Sequence, residues 1–327
     1  MILIDGSYLL HRAIRTPGCI QFKAKDGTIT GGLHFFLNSL RKLHRITKGR
    51  QGFVIAWDLG FSKYRRALFP GYKASRSSID HPREYAYSTE EEEFREVYLY
   101  TRAELHKIYL PLLECISLQV MHVEADDIIN WFCHHYLDGD ITIVSRDQDF
   151  LQLVDDRVKV WDPSGEGMLK GRDFVINEWG VDPILFREQL LLIRAMMGDS
   201  SDEIPGIKGI GWKTAVKISH TVLTEGEGAL RQSLNTTRLY MEGKDLIERN
   251  RDLMDLRRVP ETLTEEVRDS VKSSLLFGDQ RSSDELDERL WAHELNTVRG
   301  FAPSIVEANL QSGLKNDMAS ILGLKLS

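Results

Sequence analysis

Four short apolar runs, each leading into carboxylates, constrain the fold of this chain more than any other feature. Met1–Ile4 leads into Asp5, Gly52–Trp57 into Asp58, Leu118–Val123 into Glu124, and Ile141–Val144 into Ser145, Asp147 and Asp149. Short continuous apolar runs read as strands buried on both faces. Amphipathic stretches such as Gly31–Thr47 and Ala125–Tyr136 read as helices between them. Strands alternating with helices predict an α/β fold, a central mostly parallel sheet flanked by helices. Acids just past the carboxyl ends of such strands lie on the edge where sites form. They are poorly explained as core residues, because a buried carboxylate needs a partner.

Nine carboxylates form five groups: Asp5; Asp58; Glu124, Asp126 and Asp127; Asp147 and Asp149; and Asp199 and Asp202. Each group alone has a bland reading, as a helix start or a solvated loop. Together, on one sheet edge, they would repel and raise one another's pKa unless a cation relieved them. An all-oxygen set suits Mg²⁺, with Mn²⁺ as a substitute. No His/Cys spacing suits zinc. The three cysteines, Cys19, Cys115 and Cys133, are odd in number and far apart, which argues against a disulfide framework and for a reducing compartment.

A net charge of −7 at first disfavours a nucleic-acid partner. Its distribution favours one: from Arg41 to Arg76 there are ten Lys or Arg residues against one acid, Asp58. Tyr64-Arg65-Arg66 and Tyr72-Lys73-Ala74-Ser75-Arg76 interleave bases with tyrosines, a pattern suited to a nucleic-acid strand through phosphate contact and stacking. The stretch lies in a long insertion, Gly60–Ile116, whose second half opens with Ser88 and Glu91 in capping-box spacing and meets a helix breaker at Pro111. Lys73 and Arg76, three residues apart, would share one face of a helix. Farther on, Asp202-Glu203-Ile204-Pro205-Gly206-Ile207-Lys208-Gly209-Ile210-Gly211-Trp212-Lys213-Thr214-Ala215 reads as a hairpin between two helices. Its glycines let a phosphate approach backbone N–H groups, the second helix points its N-terminus at the anion, and Lys208 and Lys213 add charge. Such contacts position a duplex without reading its sequence.

No apolar run approaches the ~18 residues of a membrane span, and the opening MILIDGSYLL lacks a signal peptide's basic and apolar regions. A soluble, cytoplasmic protein with no membrane partner is expected. Residues beyond about 219 read as polar and helical, and the tail from Glu294 carries no motif.

With these strings in place, the sequence resembles the 5′-nuclease, or flap endonuclease, superfamily. The strings are LIDGSYLLHRA; AWD followed by YRRALFPGYKASR; VEADDII; IVSRDQDFLQLV; and MGDSSDEIPGIKGIGWKTA. They run in the family's order over about residues 1–220, and without an attached polymerase a stand-alone, phage-like enzyme is expected. The resemblance implies two-metal hydrolysis of phosphodiester bonds. Asp5, Asp58, Glu124 and Asp126 match a first metal group with Asp127 beside it. Asp147, Asp149, Asp199 and Asp202 match a second. Lys73 and Arg76 match basic residues that act on the scissile phosphate, and Arg65 another arginine near the arch. Tyr72, Gly206, Lys208, Gly209, Gly211, Lys213 and Thr214 are the expected DNA contacts, with a potassium ion at the helix–hairpin–helix. The expected division is a nuclease core over 1–180 with an arch at about 60–116, and a helical region over 181–327 with the hairpin at about 199–220. The expected partners are 5′-flap, nicked or 5′-ended DNA, an RNA–DNA hybrid, and a replication protein, met by a monomer. Arg146 and Gln148 depart from the residues common in the family at those places. Two rivals are a DNA-binding protein that has lost its chemistry, which the intact acids and Lys73 argue against, and a PIN-type ribonuclease, which usually lacks the arch and hairpin.

Overall fold

A computed structural model describes the chain except for residues 50, 76–88, 138, 165–166, 183, 234–236, 277–282 and 325–327. The chain forms two compact units: Met1–Gly60, Ser78–Ser145 and Thr262–Ser327 in the first, Phe61–Ser77 and Arg146–Glu261 in the second. The units interleave along the chain, so they do not follow the division at residue 180 suggested by motif order. Ser88 and Arg76 lie outside the described residues, and so does the expected capping box.

In the first unit, β1 (Ile2–Asp5), β2 (Phe53–Trp57), β3 (Ile116–Gln119) and β4 (Ile141–Val144) pair in the order β3-β2-β1-β4. All three pairings are parallel, with Ile4 opposite Ile55 on one side and Val144 on the other, and Ile55 opposite Ser117. β1 and β2 are buried at every position, which is why their sequences show no polar alternation. Helices Gly6–Ile14, Gly31–Ile46 and Ala125–His135 alternate with the strands as expected.

Two local readings change. β3 begins and ends earlier than Leu118–Val123, because Val120–Val123 is a turn: the Val123 N–H donates to Val120 O, and the His122 N–H to Leu59 O with His122 at φ 66°. Glu124 therefore stands at the start of the next helix rather than at a strand end. The helix from Thr89 also continues through Pro111, by way of a π-helical turn over Leu105–Tyr109, to Leu112. Proline has no N–H for the carbonyl four residues back, and a wider turn accommodates that loss.

The tail without a motif has a structural role in this unit. Asn309 is buried, accepts the Phe53 N–H at 2.7 Å, and donates to the carbonyls of Leu113 (3.0 Å) and Ile305 (3.1 Å). One amide thus satisfies backbone groups at the start of β2 and after the long helix, groups that burial would otherwise penalise.

The second unit holds an antiparallel pair, β5 (Val158–Asp162) and β6 (Met168–Lys170), and a helical array. The Phe186–Met197 and Trp212–Glu225 helices flank a small antiparallel pair, β7 (Gly198–Asp199) and β8 (Ile204–Pro205). Asn250 of the Thr237–Met254 helix, fully buried, donates to Ala195 O at 2.8 Å and Pro205 O at 2.9 Å, tying the last turn before the hairpin to β8. Gly206 belongs to this packing: a Cβ there would lie 2.0 Å from Met197 O. No helix among the described residues is long and apolar enough to cross a membrane.

Gly6 sets the distance between the first helix and β2. A Cβ at this position would meet Ile55 Cγ2 at 2.7 Å, Trp57 Cε3 at 2.8 Å and the Ala56 carbonyl oxygen at 2.9 Å. Glycine to alanine in an open helix stabilises slightly, but overpacking a core costs about 1–3 kcal/mol. Gly6→Ala is expected to lower the urea midpoint accordingly. An unchanged or raised midpoint would mean that the approach is not tight.

Candidate active-site groups

In the first unit, three carboxylate positions are fixed by the ends of neighbouring elements. Asp5 closes β1 and caps the Gly6–Ile14 helix, its Oδ1 accepting the Tyr8 N–H at 2.8 Å. Its Oδ2 accepts the Ser145 hydroxyl at 3.0 Å, and Ser145 follows β4, the neighbouring strand. Asp58 follows β2 on the other side of β1, and its own N–H donates to Ser7 Oγ at 3.0 Å. The Asp58 Oδ1 accepts the Ala125 N–H at 2.8 Å, so the cap of the Ala125–His135 helix comes from Asp58 and not from Glu124. That hydrogen bond brings Asp58 to the helix turn bearing Glu124, Asp126 and Asp127. Glu124 and Asp127 are buried and Asp126 half-buried. The helix N-terminus favours negative charge there.

Sequence reasoning missed the residues that line this group. Tyr98, buried on the long helix, is hydrogen-bonded to Ser7, and its phenol is pushed well above the ordinary value, first by burial and then by the charges of Asp58 and Asp5. Arg102, one turn on, donates to Asp58 O at 3.3 Å and lies over the Tyr98 ring. The spacing of Phe94, Tyr98 and Arg102 along one helix was readable, but nothing in it pointed toward Asp58.

In the second unit, Asp147 and Asp149 flank the start of the Gln148–Leu153 turn, where Asp147 Oδ1 accepts the Asp149 N–H at 2.9 Å. Asp199 ends β7, and Asp202 sits in the tight connection from it to β8. Asp199 Oδ1 accepts the Ser201 N–H at 2.8 Å and its hydroxyl at 2.5 Å. Arg194 joins the two pairs: its Nη2 lies 3.1 Å from Asp199 Oδ2 and forms an ion pair with Asp149 Oδ1. Burial works against the charge of Asp199 but is outweighed by the Ser201 hydroxyl and Arg194, which hold its carboxyl below the usual range.

Lys73 lies 3.7 Å from Asp202 Oδ2, and its N–H donates to Asp202 O at 3.0 Å. Its backbone is left-handed, φ 48°, in a turn after the Lys63–Leu68 helix. Lys73 is thus not on a helix, where its spacing from Arg76 would have put it. Two further expectations are corrected by burial. Tyr72 is 3% exposed and packs with Ile204, Leu253 and Met254, its hydroxyl 3.3 Å from Asp202 Oδ2, so no base can stack on it. Arg65 is also 3% exposed and donates through Nε to Leu253 O at 3.0 Å, a structural contact rather than a phosphate contact.

The hairpin presents the other expected groups outward: Lys208, Gly209, Gly211, Lys213 and Thr214 are exposed. Gly209 has φ 85°, and Gly211 caps the Trp212–Glu225 helix, which has no acid in its first turn. A Cβ on either glycine would meet nothing within 4 Å. Their backbone faces open space, as an approaching phosphate requires.

Among the described residues, no three Asp, Glu, His or Cys side chains already form a metal cage. The donors nevertheless fit a hard divalent cation in kind, being all oxygen, and a cation, the Arg194 guanidinium, already stands between Asp149 and Asp199. All three cysteines are buried free thiols, away from any such role.

Comparison with known proteins agrees with this arrangement of motifs. The family model described as 5′-3′ exonuclease, N-terminal resolvase-like domain, matches residues 1–180. A 5′-3′ exonuclease of Bacillus subtilis (strain 168) is 34% identical over 224 residues, 67% of this chain and 69% of that protein. A DNA polymerase I of Rhizobium leguminosarum is 30% identical over 270 residues, 79% of this chain but only 24% of that protein's length. The structure of T5 5′-exonuclease with bound zinc aligns with a TM-score of 0.60 at 19% identity, covering 91% of this chain and 98% of that one. The bacteriophage T5 flap endonuclease in a pseudo-enzyme–product complex with DNA and metal ions gives a TM-score of 0.58 at 20% identity, with the same coverage. At these identities the structural likeness is one of fold.

The Asp149 carboxyl carries a testable consequence. Burial first, then the like charges of Asp147 and Asp199, push it up to about 6 despite Arg194 and Lys73. An unfolded aspartate titrates near ~3.9. As pH falls the folded protein therefore protonates first, so this group's contribution to stability is present below about pH 4 and lost as pH rises through about 6. In chelator, Asp149→Asn is expected to melt above wild type at pH 7, with the gap narrowing toward pH 4. A gap independent of pH over this window would contradict the assignment.

Proposed function

The chain belongs to the 5′-3′ exonuclease family, and from that membership we propose that it is a structure-specific 5′-nuclease, hydrolysing phosphodiester bonds of branched or 5′-ended DNA with Mg²⁺ as cofactor. The observation that carries the reading is the hydrogen bonding of Asp5 to Ser145 and of Asp58 to Ala125, which gathers carboxylates from the ends of adjacent parallel strands and the start of one helix. Asp5, Asp58, Glu124, Asp126 and Asp127 would hold one ion, and Asp147, Asp149, Asp199 and Asp202 another. When bound, divalent ions supply Lewis acidity toward the phosphate and a water nucleophile at neutral pH.

The chain's own residues do the rest. The exposed hairpin, with its backbone N–H groups, Lys208, Lys213 and Thr214, would grip duplex phosphates without reading bases, and its carbonyls would hold a potassium ion. Lys73, held over Asp202, would stabilise charge on the phosphate in flight, where a positioned cation lowers the barrier more than it tightens ground-state binding. Arg76 is proposed to assist it.

The test is cleavage of end-labelled flap, nicked, blunt and RNA-primed substrates with Mg²⁺, with Mn²⁺ and with chelator. Cutting is expected with either ion and none in chelator. Asp126→Ala should bind branched DNA and fail to cut it. Gly211→Ala adds a methyl in open space, so the fold should persist while duplex affinity falls. Full activity in chelator, or a wild-type rate from Asp126→Ala, would remove the mechanism. At saturating enzyme, Lys73→Ala should slow single-turnover cleavage about 10²-fold, near the scale for one stabilising donor. Complete recovery at saturation would make Lys73 a steering charge only.

A further inference from the structure

Arg194 is an arginine in an otherwise apolar stretch. Leu190, Leu191, Leu192, Ile193, Ala195 and Met196 around it are all buried. Its side chain is 11% exposed, and its charge is directed at Asp149 and Asp199. A buried ion pair of this kind is weak evidence for a stabilising device, because desolvation offsets most of the attraction.

The way Arg194 meets its partners separates it from a structural clamp. Elsewhere in the same unit, Arg257 grips Asp255 with the full fork: Nε on Oδ1 and Nη2 on Oδ2, both at 2.9 Å. That bidentate fit is what fixes a carboxylate for structure. Arg257 reaches Glu188 through the same Nη2 but keeps that fork, whereas Arg194 meets both its carboxylates through Nη2 alone while its buried Nε has no hydrogen-bond partner. The guanidinium is used as a point charge between two acids, which is how a metal ion would be used.

We propose that Arg194 is a resident counter-ion of the second acidic group: it stands in the cation position between Asp149 and Asp199, keeps both carboxylates together in the metal-free protein, and competes with the divalent ion for them. This rests on the reading of those aspartates as metal ligands. Arg194 is then a positioning residue that weakens ion binding at this group while keeping the empty group ordered. It contributes one positive charge that an incoming ion must displace or share.

Calorimetric titration of Mn²⁺ into wild-type protein and Arg194→Gln tests this. One class of site should tighten about tenfold or more in the variant, as expected for losing a nearby like charge, and the other should not change. The variant should melt lower than wild type in chelator and regain the loss with Mn²⁺. Unchanged or weaker binding in a folded variant would overturn the proposal. A second measurement needs no loss of the arginine: the Arg194 side-chain resonance, assigned by its absence in Arg194→Lys, should shift on Mg²⁺ titration of wild type. A signal unmoved at saturating Mg²⁺ would overturn the proposal even if Arg194→Gln failed to fold. Absence of any Mn²⁺ binding by wild type would instead defeat the metal-ligand reading beneath it.

Discussion

Carboxylates brought close together repel one another, and the hydrogen bonds and charges around each of the two acidic groups answer that constraint. A fold that places Asp5 and Asp58 on adjacent parallel strands, beside a helix turn with three more acids, must supply compensating donors. It does so with the Tyr8 and Ala125 backbone N–H groups and the Ser145 hydroxyl. In the second unit the compensation is a full charge, Arg194 between Asp149 and Asp199, with Lys73 beside Asp202. The donors that make these acids tolerable also fix their places: Asp5, Asp58, Asp149 and Asp199 are each held by a partner.

The positions of the acids follow from backbone constraints that carry no chemistry of their own. Gly6 lets the first helix lie against β2, so Asp5 can both end its strand and cap that helix. Asp58 caps a helix it does not belong to, which couples the end of β2 to Glu124, Asp126 and Asp127. Gly206 lets the chain pass within contact of the Met197 carbonyl, and Asn250 ties the same turn to β8, which fixes the connection that carries Asp199 and Asp202. Loss of any of these would move carboxylates without changing one.

Much of this was legible in the sequence, for physical reasons that differ by element. β1, β2 and β4 were readable because strands buried on both faces leave continuous apolar runs, and the helix–hairpin–helix because its glycines and lysines sit in a fixed order. β3 was misplaced by two residues at its start and four at its end, since Val120 and Val123 continue the apolar run into a turn. Tyr72 and Arg65 were assigned to nucleic acid by the interleaved pattern and the family resemblance, and only packing shows that Ile204, Leu253 and Met254 enclose the one and that Leu253 O engages the other. Asn309, Arg194 and Tyr98 were invisible for the same reason: Asn309 bonds Phe53 256 positions away, Arg194 meets Asp149 45 positions away and Tyr98 meets Ser7 91 positions away, and no local period encodes such pairings.

The central claim is that the two acidic groups exist to hold divalent cations. Crystals soaked with Mn²⁺ and measured at the manganese absorption edge test it without recourse to cleavage. Anomalous peaks are expected beside Asp58 and Glu124 and beside Asp149 and Asp199, with the Arg194 guanidinium drawn away from Asp149. Saturating Mn²⁺ that leaves both carboxylate groups without an anomalous peak would contradict the account.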